Sequence, residues 1–404
     1  MKKVAKILAV MFVLALVVVA IGEKPASAAG KKAVRVFTEK ELKKALKNKS
    51  VDTIYFRTRI ESKITINTKK AKKKNIVIDA SNCDIINKSK FKSIELLGAL
   101  TYTEDVSGNT ITTNGYADFV IAEGRSVKKV TFTSATPVYV VRKGASIKTV
   151  AMNVYGEKGV FDKKTNTMTL ETKEYEEDYS WDASYVYDFD KSGRLLGYKN
   201  TVEYNNGPEV TITQNTYDEN GNLLRLESYD YDSGDMKYFY TFKYDSENRM
   251  LESNFKESQK ITYKYDSKGV KTTVILDDDN YHSETKYTYD SKGRITKTTT
   301  NSYYIVDGEK SGATTAVVTH KYDKNGNCIS YVNEGSDGYK DKYTYEFDKS
   351  GNCIYTKSES YEPYSGQTYV SEYKMEYDEY GNQTSYLMKS DYTDGWEDPS
   401  KYAG

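Results

Sequence analysis

Cysteine is scarce in this chain, with three residues in 404. That excludes a disulfide scaffold, so the core has to come from ordinary apolar burial. Histidine is scarcer still. His282 and His320 are the only two, and neither sits in a spacing suited to metal binding or to activating a nucleophile. Long apolar runs are missing too, with one exception at residues 7–21 (ILAVMFVLALVVVAI). Lys2, Lys3 and Lys6 precede that run and Ala26-Ser27-Ala28 follows it, the pattern of a cleaved signal peptide over residues 1–29. No cysteine closely follows the run and no second apolar segment occurs, so neither a lipid anchor nor a membrane span is expected after cleavage. The expected location is secreted or extracellular, or held non-covalently at a cell wall.

Charge is plentiful but unevenly placed. Residues 31–155 hold 25 Lys and Arg against 11 Asp and Glu, a net of +14; residues 156–404 hold 30 against 46, a net of −16. Two regions are therefore expected, a basic one at 30–155 and an acidic one at 156–404.

The basic region opens with TEKELKKALKN at 38–48, where Thr38 is an N-cap, Glu41 completes a capping box, and Leu42 with Leu46 make a short apolar stripe. Segments 53–56, 60–66, 75–78, 128–132 and 138–141 alternate β-branched and polar residues between turn-forming clusters, which predicts strands. A capped helix followed by short strands and the run IVIDASNCDI resembles the start of secreted right-handed parallel β-helix proteins of the pectate-lyase-like kind. That resemblance implies a solenoid and raises the question of polysaccharide cleavage. The region holds few acids outside its helix, no Asp-x-Asp and no histidine, and its adjacent pair Glu104-Asp105 is expected in a loop. Paired carboxylates for glycoside hydrolysis and an oxygen cage for calcium are therefore not expected. The run KKAKKK reads as a solvated loop between strands, or as a polyanion contact through Lys69, Lys70, Lys72, Lys73 and Lys74. Nucleic acid is not an expected partner, since no reading motif accompanies the charge.

In the acidic region the pattern aromatic-Asp-x-x-Gly/Asn recurs eight times, starting at Phe189, Tyr217, Tyr244, Tyr265, Tyr289, Tyr322, Phe347 and Tyr377, with a decayed copy at Phe161. Spacings of this kind mark repeat arrays. Asp suits the first position of a type I turn and Gly the positive φ that closes a bulged hairpin, so Asp here is a turn residue rather than a calcium ligand. Before the turns aromatics alternate with charge, as in Tyr240, Phe242 and Tyr244, which puts them on one face of a sheet. The chain must also reverse between copies, and segments 229–238, 276–281, 304–312, 333–340 and 361–369 are the places available. An up-and-down antiparallel array follows, with uniform turns on one rim and variable loops on the other.

These units resemble the YD (Rhs-type) repeats of bacterial cell-surface and toxin proteins, most closely at 289–295 and 189–195. The resemblance implies spiralling β-sheet, together with carbohydrate binding or enclosure of a C-terminal toxin. Only about twenty residues follow the eighth copy, so no enclosed toxin is expected. The reading is an all-β protein, a short β-helix-like domain followed by an antiparallel YD-repeat hairpin array, without catalysis or cofactor. Its expected partner is extracellular or cell-wall polysaccharide. The alternatives are a structural or protein-adhesive surface module and, after those, a polysaccharide-degrading β-helix. Tyr229, Tyr231, Tyr303, Tyr304, Tyr361, Tyr364 and Trp396 are expected on loops, where flat rings can meet sugar rings. Cys328 and Cys353 hold equivalent places in consecutive repeats and are expected as small core residues, with a bond between them only if their strands are neighbours.

Overall fold

The structure, a computed structural model, describes residues 32–397 except 59–61, 82, 115, 163, 177–178, 206, 257, 350, 379–382 and 392–394. The segment read as a signal peptide lies outside the described residues.

The capping box forms as its spacing dictates. Helix Glu39–Lys47 begins after Thr38, whose Oγ1 accepts from the Glu41 amide at 3.3 Å while Glu41 Oε2 accepts from the Thr38 amide at 3.2 Å. Its stripe of Leu42, Ala45 and Leu46 is buried against the first strands.

The strands that follow coil into a parallel solenoid of about six turns. One parallel sheet collects Lys32–Val36, Val51–Thr58, Asn75–Ala80, Ser93–Leu96, Thr110–Thr113, Lys129–Phe132 and Val150–Val154; a second collects Ser62–Ile66, Cys83–Asn87, Thr101–Glu104, Asp118–Ile121 and Tyr139–Val141. Inward residues stack in columns because parallel pairing in register puts like position above like position. Ile54, Ile76, Ile94, Ile111, Val130 and Val150 form one column, and Ile64, Ile85, Tyr102, Phe119 and Tyr139 another. Every member of the first column except Val150 is at most 1% exposed.

Residues 160–390 form an antiparallel sheet of 18 strands in strict sequence order, from Val160–Asp162 to Gln383–Ser390. The repeated motif closes one rim of it. In each described turn the Gly or Asn248 amide donates to the Asp carbonyl and the Asp amide to the carbonyl of the residue just before the next strand, as at Gly293 to Asp290 (3.0 Å) and Asp290 to Arg294 (2.9 Å). The glycines have positive φ, +82° at Gly293 for example, and Asn248 takes the same conformation at +62°. A one-residue register shift follows each turn, a bulge at the second residue of the outgoing strand, such as Thr296 between Ile295 and Lys297. The decayed copy is also a hairpin, with Asn166 at φ +61°.

The two regions share one core, which passes across residue 155 without a break. Val154 pairs with Glu157, and the first repeat's Tyr185, Tyr187 and Phe189 join the solenoid's apolar cluster. Tyr187 Oη donates to the Ala135 carbonyl and Tyr139 Oη to the Gly193 carbonyl, each at 2.8 Å. The first repeat therefore covers the last rung, as the helix covers the first strands. The second turn docks nearby, with the Lys143 amide on the Asn220 carbonyl and the Arg142 guanidinium on Asn222 Oδ1. Beyond Val202 no described apolar side chain is buried. The rest of the array is a single layer of half-buried rings.

Cys328 begins strand Cys328–Gly335 and Cys353 begins Cys353–Glu362, and strand Lys340–Phe347 lies between them. Two strand spacings, roughly 9–10 Å, exceed the reach of a disulfide. Both thiols instead flank Tyr345, whose phenol is pushed up by burial first and then by their proximity.

Candidate functional site

The variable rim gathers the aromatics that the sequence singled out, but it divides them among separate clusters. Tyr231 and Tyr364 lie in turns, as expected. Tyr229, Tyr303, Tyr304 and Tyr361 do not, since the strands run further than their alternation suggested and end at Asp230, Val306 and Glu362. Paired backbone continues for as long as a partner strand is available, and the long hairpin Ile295–Val306 with Glu309–Tyr322 carries Tyr303 and Tyr304 almost to its tip.

One cluster joins neighbouring loops. Tyr339 and Tyr364 meet edge to face with centroids 5.9 Å apart, and Gly338, at φ +89°, brings its loop against Pro363. Tyr364 is 83% exposed and Tyr361 38%. Partial burial, then the nearby Glu362 carboxylate, the Tyr364 phenol and Asp337, raise the Tyr339 pKa, so it remains a hydroxyl donor at neutral pH.

A second cluster forms at the long hairpin. Tyr281 packs on Tyr304 at 5.4 Å, and on the opposite face of the sheet His282 stacks on Tyr303 at 4.7 Å while its Nδ1 meets Asp277 Oδ1. His282 therefore belongs to the rim. Its place directly opposite Tyr303 depends on the hairpin register, which no single-strand pattern reveals.

Elsewhere cations already lie over the rings. Lys310 Nζ sits 4.3 Å from the Tyr303 centroid, Lys199 Nζ 3.9 Å from Tyr231 and Lys374 Nζ 4.1 Å from Trp396. Partial burial, and then the neighbouring Glu227, raise the Tyr229 phenol. Carboxylates accompany the rings along this rim, in Asp232, Asp235, Asp278, Asp279, Asp307, Asp337 and Glu362, while the opposite rim sets Lys191, Lys268, Lys292, Lys324 and Lys349 beside the motif aspartates. Flat rings beside hydroxyl acceptors suit a polyhydroxylated ligand.

The basic candidates divide as well. Lys69, Lys70, Lys72 and Lys73 are exposed around a short 3-10 turn, Lys69–Ala71. Lys74 is 4% exposed, and its ammonium donates to the carbonyls of Asn48 and Val51 just past the helix. It is a buried helix-end partner, and burial lowers its pKa. Lys74 thus leaves the set of polyanion contacts.

Glu104 is the second correction. It ends strand Thr101–Glu104 facing inward, fully buried, and not in a loop. Tyr102 Oη at 2.7 Å, Asn87 Nδ2 at 3.0 Å and Asn109 Nδ2 at 2.8 Å donate to its carboxylate, yet burial still lifts its pKa to about 7. The signal was present, since Tyr102 and Glu104 share strand parity. Among the described residues no group of three or more His, Cys, Asp and Glu is placed to hold a metal, and no helix is long and apolar enough to cross a membrane.

No protein-family model matches the chain, and no curated protein does. Several solved structures share part of its backbone course. A Photorhabdus luminescens Tc holotoxin pore aligns at 14% identity and TM-score 0.31 over 57% of this chain and 15% of that one. The TcdB2–TccC3 complex aligns at 11% and 0.24 over 59% and 16%. A porin-like protein from Bacteroides uniformis aligns at 10% and 0.20 over 57% and 97%. This chain spans about a sixth of the first two, and overlaps this slight do not say what it binds or does.

Proposed function

We propose that residues 156–404 are a YD (Rhs-type) repeat array, and that the whole is a secreted or cell-surface protein that binds extracellular carbohydrate polymer without catalysis. The observation that carries this reading is the pairing of Tyr339 and Tyr364 across adjacent loops, with most of the Tyr364 ring in solvent and carboxylates beside it. Exposed rings held by a rigid sheet bind sugar faces with little ordering cost. Repetition of such clusters along one rim suits a polymer, where several weak contacts add by multivalency.

The test is a glycan and cell-wall polymer screen with the full chain, because the shared core makes a cut at 155 unsafe. Tyr364→Ala is expected to weaken the selected glycan by about fivefold, near 1 kcal/mol for one ring contact, and the binding should persist in high salt. A screen with no hits, or a hit that Tyr364→Ala and Tyr304→Ala leave unchanged, sinks the reading and favours a structural or protein-adhesive module.

A further inference from the structure

Among the described connections of the solenoid, charge lies on one flank only. Connections that return from the second sheet to the first occupy 67–74, 88–92, 105–109, 122–128 and 142–149, and they hold thirteen Lys and Arg against Asp105 and Glu123. The outgoing connections at 97–100, 114–117 and 133–138 hold no charged residue. Four of these five stretches thus deliver cations to one side, the buried Lys74 excepted. Parallel register then stacks them. The Lys92 amide donates to the Lys74 carbonyl, Lys128 to Asn109 and Lys148 to Val127, so Lys92, Lys128 and Lys148 stand in a single column two residues ahead of the inward aliphatics. All three are exposed, as are Lys72, Lys73 and Lys90 beside them. The flank's acid Asp105 is held between Lys88 and Arg125, at 3.4 and 2.9 Å, and the three together keep a net positive charge.

We propose that this flank is a track for an extended polyanion carrying phosphate or carboxylate at regular intervals. Rungs are about 4.8 Å apart, so the column from the Lys72–Lys73 turn to Lys148 spans roughly 19 Å. A rigid row of that length neutralises several charges of a linear polymer at once while presenting no pocket for a single anion. Ammonium groups without a bidentate fork select charge rather than shape. The flank lies on the solenoid, away from the tyrosine rim of the array, and the inference stands on different residues from the proposed carbohydrate site.

The experiment uses the full chain and long-chain inorganic polyphosphate as the probe, titrated between about 50 and about 200 mM salt. Binding is expected to fall steeply with salt. Lys92→Gln/Lys128→Gln/Lys148→Gln should bind at least tenfold more weakly and lower the log–log salt slope by roughly two to three, near one for each cation removed. Lys268→Gln/Lys292→Gln/Lys324→Gln, with the same charge change on the motif turns, should stay within about twofold of the parent, since those sites lie off the track. Equal loss in the two triple variants, or no polyphosphate binding by the parent, overturns the proposal. So does salt-sensitive self-association in its place, which would make the flank a contact for the acidic array of a second copy. Tyr364→Ala should leave the polyphosphate titration unchanged, so this reading and the carbohydrate reading fail separately.

Discussion

The solenoid and the array are both made of β-strands, yet they are held together differently. The solenoid packs its inward columns against themselves, with Ile54, Phe56, Ile78 and Leu96 at 0–1% exposure. The array beyond Val202 has one layer, and its stability comes from cross-strand pairs and from turns. Tyr217, Tyr265, Tyr289 and Tyr322 each donate a hydroxyl to a carbonyl of the preceding repeat at 2.7–2.8 Å. Arg194, Arg249 and Arg294 then lay their guanidinium groups over the tyrosine of the next motif copy or strand, at 5.2, 5.1 and 4.3 Å. One region has a shared core and the other a chain of local links, so damage should spread in the first and stay local in the second.

Matched ring deletions break or sharpen that contrast most strongly. Phe56→Ala should cost about 3–5 kcal/mol by cavity formation in the solenoid, whereas Phe242→Ala, half-buried against Tyr240, should cost roughly 1–2 kcal/mol. Hydrogen exchange during chemical denaturation reads both. Phe56→Ala should speed exchange across all rungs, and Phe242→Ala only in the strands around Met236–Tyr244. Equal costs would mean that the array's inner face is a core after all.

Acidity separates the regions next. Glu104 has a folded pKa of about 7 against an ordinary value of 4.5, because burial favours its protonated form. The folded state then holds a proton that the unfolded state releases between those values. Its contribution is fully present below about 4.5 and is lost as pH rises through about 7, on the order of 3 kcal/mol. Four of the array's turn carboxylates, Asp245, Asp266, Asp290 and Asp323, behave oppositely. Backbone amides at Val270 and Lys268 hold the Asp266 carboxyl below its usual range, so its contribution is present at neutral pH and fades in acid. Melting followed by signals local to each region should show the solenoid gaining stability from pH 7.5 to 5 and the array not, and Glu104→Gln should flatten the solenoid's profile. A parent profile already flat over that range would contradict the buried-carboxyl account.

The same contrast decided what the sequence could reveal. The array announced itself because every turn needs Asp to cap amides and Gly or Asn to take a positive φ, so backbone geometry wrote a motif. The residue after the glycine also has a role in the turn. Arg294 and Asn327 look unrelated, yet each side chain returns to the second oxygen of its own motif Asp, at 2.5–2.7 Å and 2.9 Å. The solenoid was legible as a helix, some strands and a β-helix resemblance, but its rungs were not. Its rungs need aliphatics at matching heights, and the column Ile54, Ile76, Ile94, Ile111, Val130, Val150 recurs at uneven intervals because the connections differ in length. Inward Asn87 and Glu104 were hidden for a related reason, since polar residues at core positions make sense only with each other in view. The rim candidates were found as residue types but not as clusters, because Tyr339 with Tyr364 and His282 with Tyr303 meet through pairing between strands.

The smallest effect tests the junction of the two regions. Gly221 and Gly293 close equivalent turns at φ +83° and +82°, so alanine strains the backbone equally at both, by about 1–2 kcal/mol. Their surroundings differ. A methyl on Gly293 meets nothing within 4 Å, while on Gly221 it would lie 2.0 Å from the Val141 carbonyl oxygen at the solenoid's last rung. Gly293→Ala should therefore loosen one hairpin and leave the melting of the rungs unchanged. Gly221→Ala has to push the second turn off the solenoid, separating Lys143 and Arg142 from Asn220 and Asn222. Its cost should exceed that of Gly293→Ala by at least about 1 kcal/mol, with faster exchange at Val150–Val154 as well as in the array. Identical costs for the two substitutions would mean that the turn and the rung move independently, and that the array's first repeats do not close the solenoid's end.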